Sequence, residues 1–303
     1  MGFLPDRDIP DLTGKTILVT GGNIGLGKAS ILEFSRHSPD QIWLAARNLA
    51  KAQAAVDEIK QQCPNTPIQL LELDLTSFDS IKTAVQAFSA SAKRLDILML
   101  NAGIMASPPG QTRDGYEIQF GTNHMGHALL TKLLLPTIQK TAQHGAAVRI
   151  ISVSSHGHHY APPVGINFDT LKTPGDSLGP FARYGQSKLA NILWTRQLAI
   201  QYPTLTVVSV HPGIVKTNLL SGATDAPWLI RWVFQTARRI GLAATAEKGA
   251  LNQLWASVSS QVTSGEYYDP VGVMGNTTPH ARDMQLAGRV WEWTEEELNG
   301  WLE

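Results

Sequence analysis

The sequence predicts an α/β fold: a doubly wound, mainly parallel sheet of seven strands with helices on both faces. Three observations lead there. Short apolar, β-branched runs recur at Lys15 to Thr20, Gln41 to Ala45, Ile68 to Leu73, Leu95 to Leu100, Val148 to Val153, Leu205 to Val210 and, more briefly, Glu266 to Tyr268. Longer helical stretches separate them, among them an amphipathic Asn48 to Gln62 and a long Phe181 to Gln201. Runs that stay apolar without alternating suit strands buried on both faces, the condition of a parallel sheet covered by crossover helices. The third observation is where the polar and glycine-rich motifs fall. Each lies at the C-terminal end of a predicted strand or on the helix after it, the edge at which such sheets bind ligands.

The first strand runs directly into Gly21, Gly22, Asn23, Ile24, Gly25, Leu26 and Gly27, followed by Lys28, Ala29 and Ser30. Strand, glycine turn and helix is the expected order. Glycines permit a tight turn and a close backbone approach, and the start of the helix offers free N–H groups and the positive end of its dipole to a pyrophosphate. The spacing is G-x-x-x-G-x-G rather than G-x-G-x-x-G, so the mechanism of a dinucleotide cradle carries over while the generic pattern does not. A carboxylate at the end of the second strand would hydrogen-bond an adenosine 2′-hydroxyl. Ala46 stands there instead and Arg47 follows it. Arginine holds a 2′-phosphate through paired, charge-assisted hydrogen bonds, so NADP(H) is the expected cofactor, with Lys51 one turn on as a further contact.

Tyr184 and Lys188 stand four positions apart in YGQSK, on one face of the long predicted helix. An ammonium beside a phenol favours the phenolate, which brings a group of ordinary pKa near ~10 closer to neutral acid–base work. The spacing alone is weak, because any solvated helix face can carry it; its weight comes from the motifs upstream.

Composition agrees with one soluble enzyme. The 303 residues are 43% hydrophobic, carry zero formal net charge and contain no dense Lys/Arg block, so neither nucleic acid nor an anionic membrane is indicated as a partner. Residues 1–303 read as one domain with an N-terminal extension over 1–12. The single Cys63 cannot form an internal disulfide, which suits a reducing compartment, and it reads as inert. The opening MGFLPDRDIPDLTG lacks a basic-then-apolar targeting pattern, and no run approaches the ~18 apolar residues that span a bilayer. A cytoplasmic protein without a membrane anchor is expected.

TGGNIGLG (Thr20 to Gly27), Asp74 and Leu75, NAG (Asn101 to Gly103), Asn123 in FGTNHMGH, SVSS (Ser152 to Ser155), YGQSK and HPG (His211 to Gly213) occur in this order. Together they make the chain resemble the short-chain dehydrogenase/reductase family over about Leu12 to Gly272. Within that family, LAARN, TNHMGHALLT, SKLAN and HPGIVKTNL look most like the retinol-dehydrogenase-like and WW-domain-oxidoreductase-like branch. The resemblance implies a Rossmann fold and a complete catalytic set. By it, Ser155 binds the substrate oxygen, with Ser154 the less favoured serine. Tyr184 is the general acid/base, Lys188 binds the nicotinamide ribose and acidifies the tyrosine, and Asn123 holds a proton-relay water. It also implies that Asp74 and Leu75 border the adenine and that Asn101, Ala102 and Gly103 line the cofactor through their backbone. Pro212, Gly213, Val215 and Thr217 complete the cofactor contacts.

Two further features need weighing. His156, His158 and His159 invite a metal reading, but no carboxylate or cysteine set accompanies them and hydride transfer needs no metal. His211 reads as a turn residue. Residues 218–244, with Trp228, Trp232 and Phe234, stand where the family places a mobile lid, and their alternative is core packing. The expected activity is therefore an NADP(H)-dependent reduction of a ketone or aldehyde, or oxidation of the corresponding alcohol, on a lipophilic small molecule of the kind found in secondary metabolism. A nucleotide-binding regulator without turnover and a carbon–carbon double-bond reductase are the alternatives, and a homodimer is an option for its assembly.

Overall fold

The computed structural model describes residues 2–213 and 244–302. Val215, Thr217 and the candidate lid as far as residue 243, with Trp228, Trp232 and Phe234, lie outside the described residues. After a short helix α1 (Pro5–Asp8), the chain alternates β1 (Thr16–Thr20), α2 (Gly25–Ser35), β2 (Gln41–Ala46), α3 (Leu49–Gln62), β3 (Ile68–Glu72), α4 (Phe78–Ser91) and β4 (Ile97–Leu100). It continues through α5 (Ile118–Phe120), a π-helical turn (Gly121–Met125), α6 (Gly126–Gln143), β5 (Arg149–Val153), α7 (Pro180–Gln201) and β6 (Thr206–Val210). The helix α8 (Ala246–Val258), strand β7 (Tyr267–Tyr268) and helix α9 (Met284–Leu298) follow.

All six strand pairings are parallel, and the seven strands lie in the order β3-β2-β1-β4-β5-β6-β7. β1 thus has β2 on one side and β4 on the other, with Ile17 in register with Ile42 and Ile97. The chain winds outward in both directions from β1 and leaves a crevice at the β1/β4 switch point, the ligand-binding place of doubly wound sheets.

Side chains alternate across each strand, which divides the core in two. Leu18, Leu98, Ile150 and Val207 pack on one face with Phe78 and Phe88 of α4, Leu130 of α6 and Trp194 of α7. Ile17, Val19, Met99, Ile151 and Val208 pack on the other with Phe34 of α2, Ile59 of α3 and Leu254 of α8. All five residues of β1 are buried, as their unbroken apolar run predicts. Each large side chain so enclosed contributes about 1.5–3 kcal/mol.

Local signals explain most boundaries. Asn48 ends the predicted strand–helix junction as the cap of α3, its Oδ1 accepting from the Lys51 amide at 2.9 Å. β7 is shorter than its predicted run because Gly265, at φ 85°, turns the chain into it and the Asp269–Pro270 bond leaves it. Besides α1, which falls in the expected N-terminal extension, two elements stand outside the sequence expectations. One is the π-turn at Gly121–Met125. The other is α9, capped by Asp283 Oδ1 and packed on α7 with Trp291 stacked against Trp194 at 6.2 Å.

Candidate active site

The glycine turn leaves β1 with Gly21 at φ 65° and Gly25 at φ 54°, both in the region that favours glycine. Gly27 has a different constraint. A Cβ there would stand 2.4 Å from the Gly21 carbonyl oxygen and 2.7 Å from Asn101 Nδ2, so only hydrogen fits. Helix α2 then starts at Gly25 without a side-chain cap on its first turn. Its leading N–H groups have no intrahelical partner, and they border a cavity of ≈ 330 Å³ lined by Asn23, Ile24, Gly25, Lys28, Lys51 and Glu58. A cradle closed to side chains and rich in free donors and cations fits a pyrophosphate-bearing dinucleotide. Leu26 is half-buried beside it.

Across the switch point, Asn101 ties the two central strands together. Its Nδ2 donates to the Thr20 carbonyl at 2.8 Å, and its own amide and that of Ala102 donate to Thr20 Oγ1 at 2.9 and 3.0 Å. Gly103 leaves room at a crowded point, where an added Cβ would stand 3.1 Å from Asn123 Oδ1 and 3.5 Å from Lys188 Nζ. Asp74 Oδ1 accepts from the Thr76 amide and hydroxyl and so shapes its own turn. Leu75 is 6% exposed and belongs to the α4/α6 core, and its carbonyl oxygen would be 2.5 Å from a Cβ at Gly126. Its position is set by packing, which the dipeptide motif did not reveal.

At the end of β2 Ala46 is buried, whereas Arg47 and Lys51 are exposed. Lys28 forms an ion pair with Glu58 at the floor of the cavity. Pro212 and Gly213 continue β6 at the same edge of the sheet, Gly213 at φ 82°.

The proposed proton-handling residues converge at the C-terminal ends of β4 and β5. Ser154 and Ser155 separate cleanly. Ser154 is buried and its Oγ donates to the Lys188 carbonyl at 2.7 Å, an internal anchor for α7. Ser155 is half-buried, its Oγ accepting from the Gly157 amide at 2.9 Å and reaching the Tyr184 phenol. The turn His156–Tyr160 lies directly on α7: a Cβ on Gly157 would be 2.6 Å from Tyr184 Cε1, and one on Gly185 would be 2.4 Å from the Ala161 nitrogen. Small residues on both sides allow this approach.

Tyr184 and Lys188 are each only 4% exposed. Lys188 Nζ donates to the Val153 carbonyl at 2.8 Å and lies 5.9 Å from the Tyr184 ring centre. Burial pushes the phenol up to about 12, against the Ser155 hydrogen bond that favours its ionised form. Burial also pulls the Lys188 ammonium down to about 7. Desolvation dominates the phenol, which is held protonated, as a donor.

Asn123 is fully buried inside the π-turn. Its Oδ1 accepts from the Ile104 amide at 2.8 Å, while its Nδ2 donates to the Ile104 carbonyl and to Ser187 Oγ, both at 2.9 Å. Ser187 Oγ in turn donates to the Tyr184 carbonyl at 2.7 Å. The side chain is thus consumed in tying the Gly103–Ile104 turn to α7.

The histidines divide by burial. His158 Nδ1 meets the Ser155 carbonyl at 2.7 Å, and burial lowers its pKa to about 4. His211 Nδ1 accepts from the His156 amide at 3.2 Å, a turn contact, and burial lowers its pKa to about 4 despite Asp269 nearby. Among the described residues, no cluster of three or more His, Cys, Asp and Glu side chains is arranged to hold a metal. Nor, among them, is any helix long and apolar enough to cross a membrane.

A strand-end crevice with a glycine cradle and a Ser, Tyr and Lys group defines a nucleotide-dependent oxidoreductase. Residues 15–172 match the short chain dehydrogenase family, and the chain belongs to that family. It is 39% identical to the short-chain dehydrogenase/reductase drtF of Aspergillus calidoustus, across 96% of this chain and 95% of the relative. It is 35% identical to human retinol dehydrogenase 13, across 92% of this chain and 83% of that protein. Among solved structures it resembles a putative uncharacterized protein from Mycobacterium Paratuberculosis, with a TM-score of 0.75, 29% identity, and coverage of 99% of this chain and 98% of that one.

Proposed function

We propose that the protein is an NADP(H)-dependent reductase of ketones or aldehydes on lipophilic small molecules. The observation that carries this reading is the burial of Tyr184 beside Ser155 at the open end of the β1/β4 crevice, opposite a glycine cradle fit for a dinucleotide. A bound nicotinamide would supply the hydride. The chain supplies the rest. Ser155 Oγ orients the carbonyl oxygen, Tyr184 Oη delivers the proton to that oxygen as charge develops on it, and the Lys188 ammonium favours the phenolate left behind. Asn123 fixes α7 through Ser187 so that these groups keep their spacing.

NADP(H) rather than NAD(H) is supported by the lack of a carboxylate at Ala46, by the exposed Arg47 that follows it and by Lys51, which lines the cavity. A lipophilic substrate follows from the relatives named retinol dehydrogenases, whose substrate by name is an apolar alcohol. The test is NADPH consumption across a panel of apolar ketones and aldehydes, with NADH as control and the product identified. Tyr184→Phe should remove nearly all turnover and leave NADPH affinity within a few-fold, since only the hydroxyl is lost. A phenylalanine enzyme keeping a third or more of the parent activity would overturn the assignment. Tight NADPH binding without turnover on any carbonyl would favour a regulatory protein instead.

A further inference from the structure

His127, which no step above uses, is 3% exposed and sits between the two halves of the site. Its Nε2 lies 2.9 Å from Thr20 Oγ1, at the end of β1, and its Nδ1 lies 3.1 Å from the Asn123 main-chain carbonyl. The protons on this path can be assigned. Thr20 Oγ1 already accepts the Ala102 amide at 3.0 Å and, at 2.9 Å, the Asn101 amide, which it shares with the Met99 carbonyl at 3.1 Å, so both its lone pairs are engaged. Its one hydrogen must be donated, and His127 Nε2 at 2.9 Å is nearer than the Met99 carbonyl at 3.4 Å. Nε2 is then an acceptor, so the neutral ring carries its hydrogen on Nδ1, aimed at the Asn123 oxygen. The opposite tautomer would set an N–H against a saturated hydroxyl and a lone pair against a carbonyl. A doubly protonated ring would fail at Thr20 in the same way.

Burial holds the ring neutral, with the charge of Lys188 and the neighbouring His124 acting in the same direction and the Asn123 carbonyl against it. The path does not stop at Asn123. Its side chain runs on to Ser187 Oγ and from there to the Tyr184 carbonyl. A continuous buried line of hydrogen bonds therefore joins the end of the glycine-turn strand to the helix that carries the tyrosine.

We propose that His127, as its Nδ1–H tautomer, is a positioning residue that locks the Asn123 turn to the Thr20 and Asn101–Ala102 backbone, so that the cofactor side and the proton-donating side of the site hold one spacing. The inference rests on the oxidoreductase reading above. Hydride and proton must reach neighbouring atoms of one carbonyl, and a misplacement of about 1 Å between donor groups can cost on the order of a hundredfold in rate.

Two measurements test it. The first needs no substrate: ¹⁵N NMR of the imidazoles in the full-length protein, assigned by loss of one signal in His127→Phe. The expected result is a neutral Nδ1–H ring that does not titrate between pH 5 and 8. An Nε2–H ring, or one that titrates in that range, overturns the proposal. The second uses the carbonyl substrate identified by the panel. His127→Phe should lower kcat by about tenfold to a hundredfold and shift the alkaline limb of its pH profile, with NADPH affinity, read by fluorescence, within a few-fold. His127→Asn places an amide N–H where Nδ1 was and should restore most of kcat and the parent pH profile. His127→Gln reaches only towards Thr20 and should restore less.

Equal kcat losses in all three variants with the pH profile unmoved would mark a packing defect and sink the idea, as would a folded phenylalanine variant with the parent kcat. Should that variant not fold, Thr20→Val carries the test and supplies the NMR comparison, because it removes the only proton held by Nε2. The Nε2 signal should then shift while the ring stays Nδ1–H and NADPH still binds, and an Nε2 signal unmoved by loss of the hydroxyl would count against the proposal. If the parent reduces no carbonyl at all, the proposed function fails while the NMR result still judges the tautomer.

Discussion

At the end of β2, Arg47 and Lys51 stand exposed, whereas at the end of β5 Tyr184, Lys188 and Asn123 are all less than 5% exposed. Both groups carry polar chemistry on one edge of one sheet. The contrast is in solvation. Exposed cations act on a charged ligand through weak, salt-screened attraction. Enclosed groups lose water, and burial raises the proton affinity of the phenol while lowering that of the ammonium. On the proposed reading, selectivity sits where water can enter and reactivity where it cannot.

The strongest way to test this contrast is Lys188→Met. Methionine matches the stem and removes a buried amine whose one hydrogen bond among the described residues goes to the Val153 carbonyl. Turnover should fall by roughly 10²–10⁴-fold, yet the folded state should become more stable. The sign follows from linkage. Burial lowers the lysine from 10.5 to about 7, so the parent bears the full cost below pH 7 and is relieved of it as pH rises towards 10.5. The stabilisation should therefore be larger at pH 6 than at pH 9 in urea unfolding. A variant less stable than the parent at both pH values would mean that Lys188 holds the fold together.

Next in size is an acid effect that the exposed end cannot produce. Burial pulls His124 and His127 from 6.5 to about 3, so the unfolded chain binds protons that the native state refuses. Stability should be lost progressively as pH falls from about 6.5 towards 3, by several kcal/mol in total at ~1.4 kcal/mol per pKa unit. Urea midpoints at pH 7.5, 6 and 5 give the slope, and it should shrink in His127→Phe. A flat profile over that range would show that both rings charge freely in the native state.

At the exposed end, Arg47→Ala should weaken NADP(H) by about 1.5–3 kcal/mol and leave NAD(H) nearly unchanged. Adding Ala46→Asp should then reverse the preference. Equal losses for the two cofactors would make Arg47 a structural residue. The smallest change is expected from Lys51→Ala, about 0.2–1 kcal/mol in NADP(H) binding and declining with added salt.

What was legible in the sequence follows the same division. Strands β1 to β6 and the span of α3 could be read because a run of Ile, Val and Leu, or an apolar helical period beginning at Asn48, acts on its own neighbours. The motif residues fell at the strand ends for the same reason. Solvation of Tyr184 and Lys188 was not readable, because it is created by Val153, Gly157 and Ser155 arriving from another strand and turn. The one local signal, the i, i+4 spacing, carries no information about that burial. His127 and Thr20 lie 107 positions apart, and only the matching i, i+4 step from Asn123 to His127 in TNHMGH hints at their meeting. The π-turn has a comparable origin. Gly121 faces Thr112, where a Cβ would come within 2.3 Å of Cγ2, and no propensity scale registers that crowding.

Helix α9 reaches back across the chain to this turn. Thr294 Oγ1 meets His124 Nε2 at 3.0 Å, Trp293 packs edge-on against Phe120 at 5.8 Å, and Glu297 accepts from Tyr116 Oη at 2.8 Å. Residues on either side of Asn123 are thus finished by an element made more than 150 positions later. A nascent chain on the ribosome can assemble the sheet through β6 with this flank of the Asn123 turn still open. The Asn123 turn is therefore completed late in synthesis, only once Met284–Leu298 has left the ribosome.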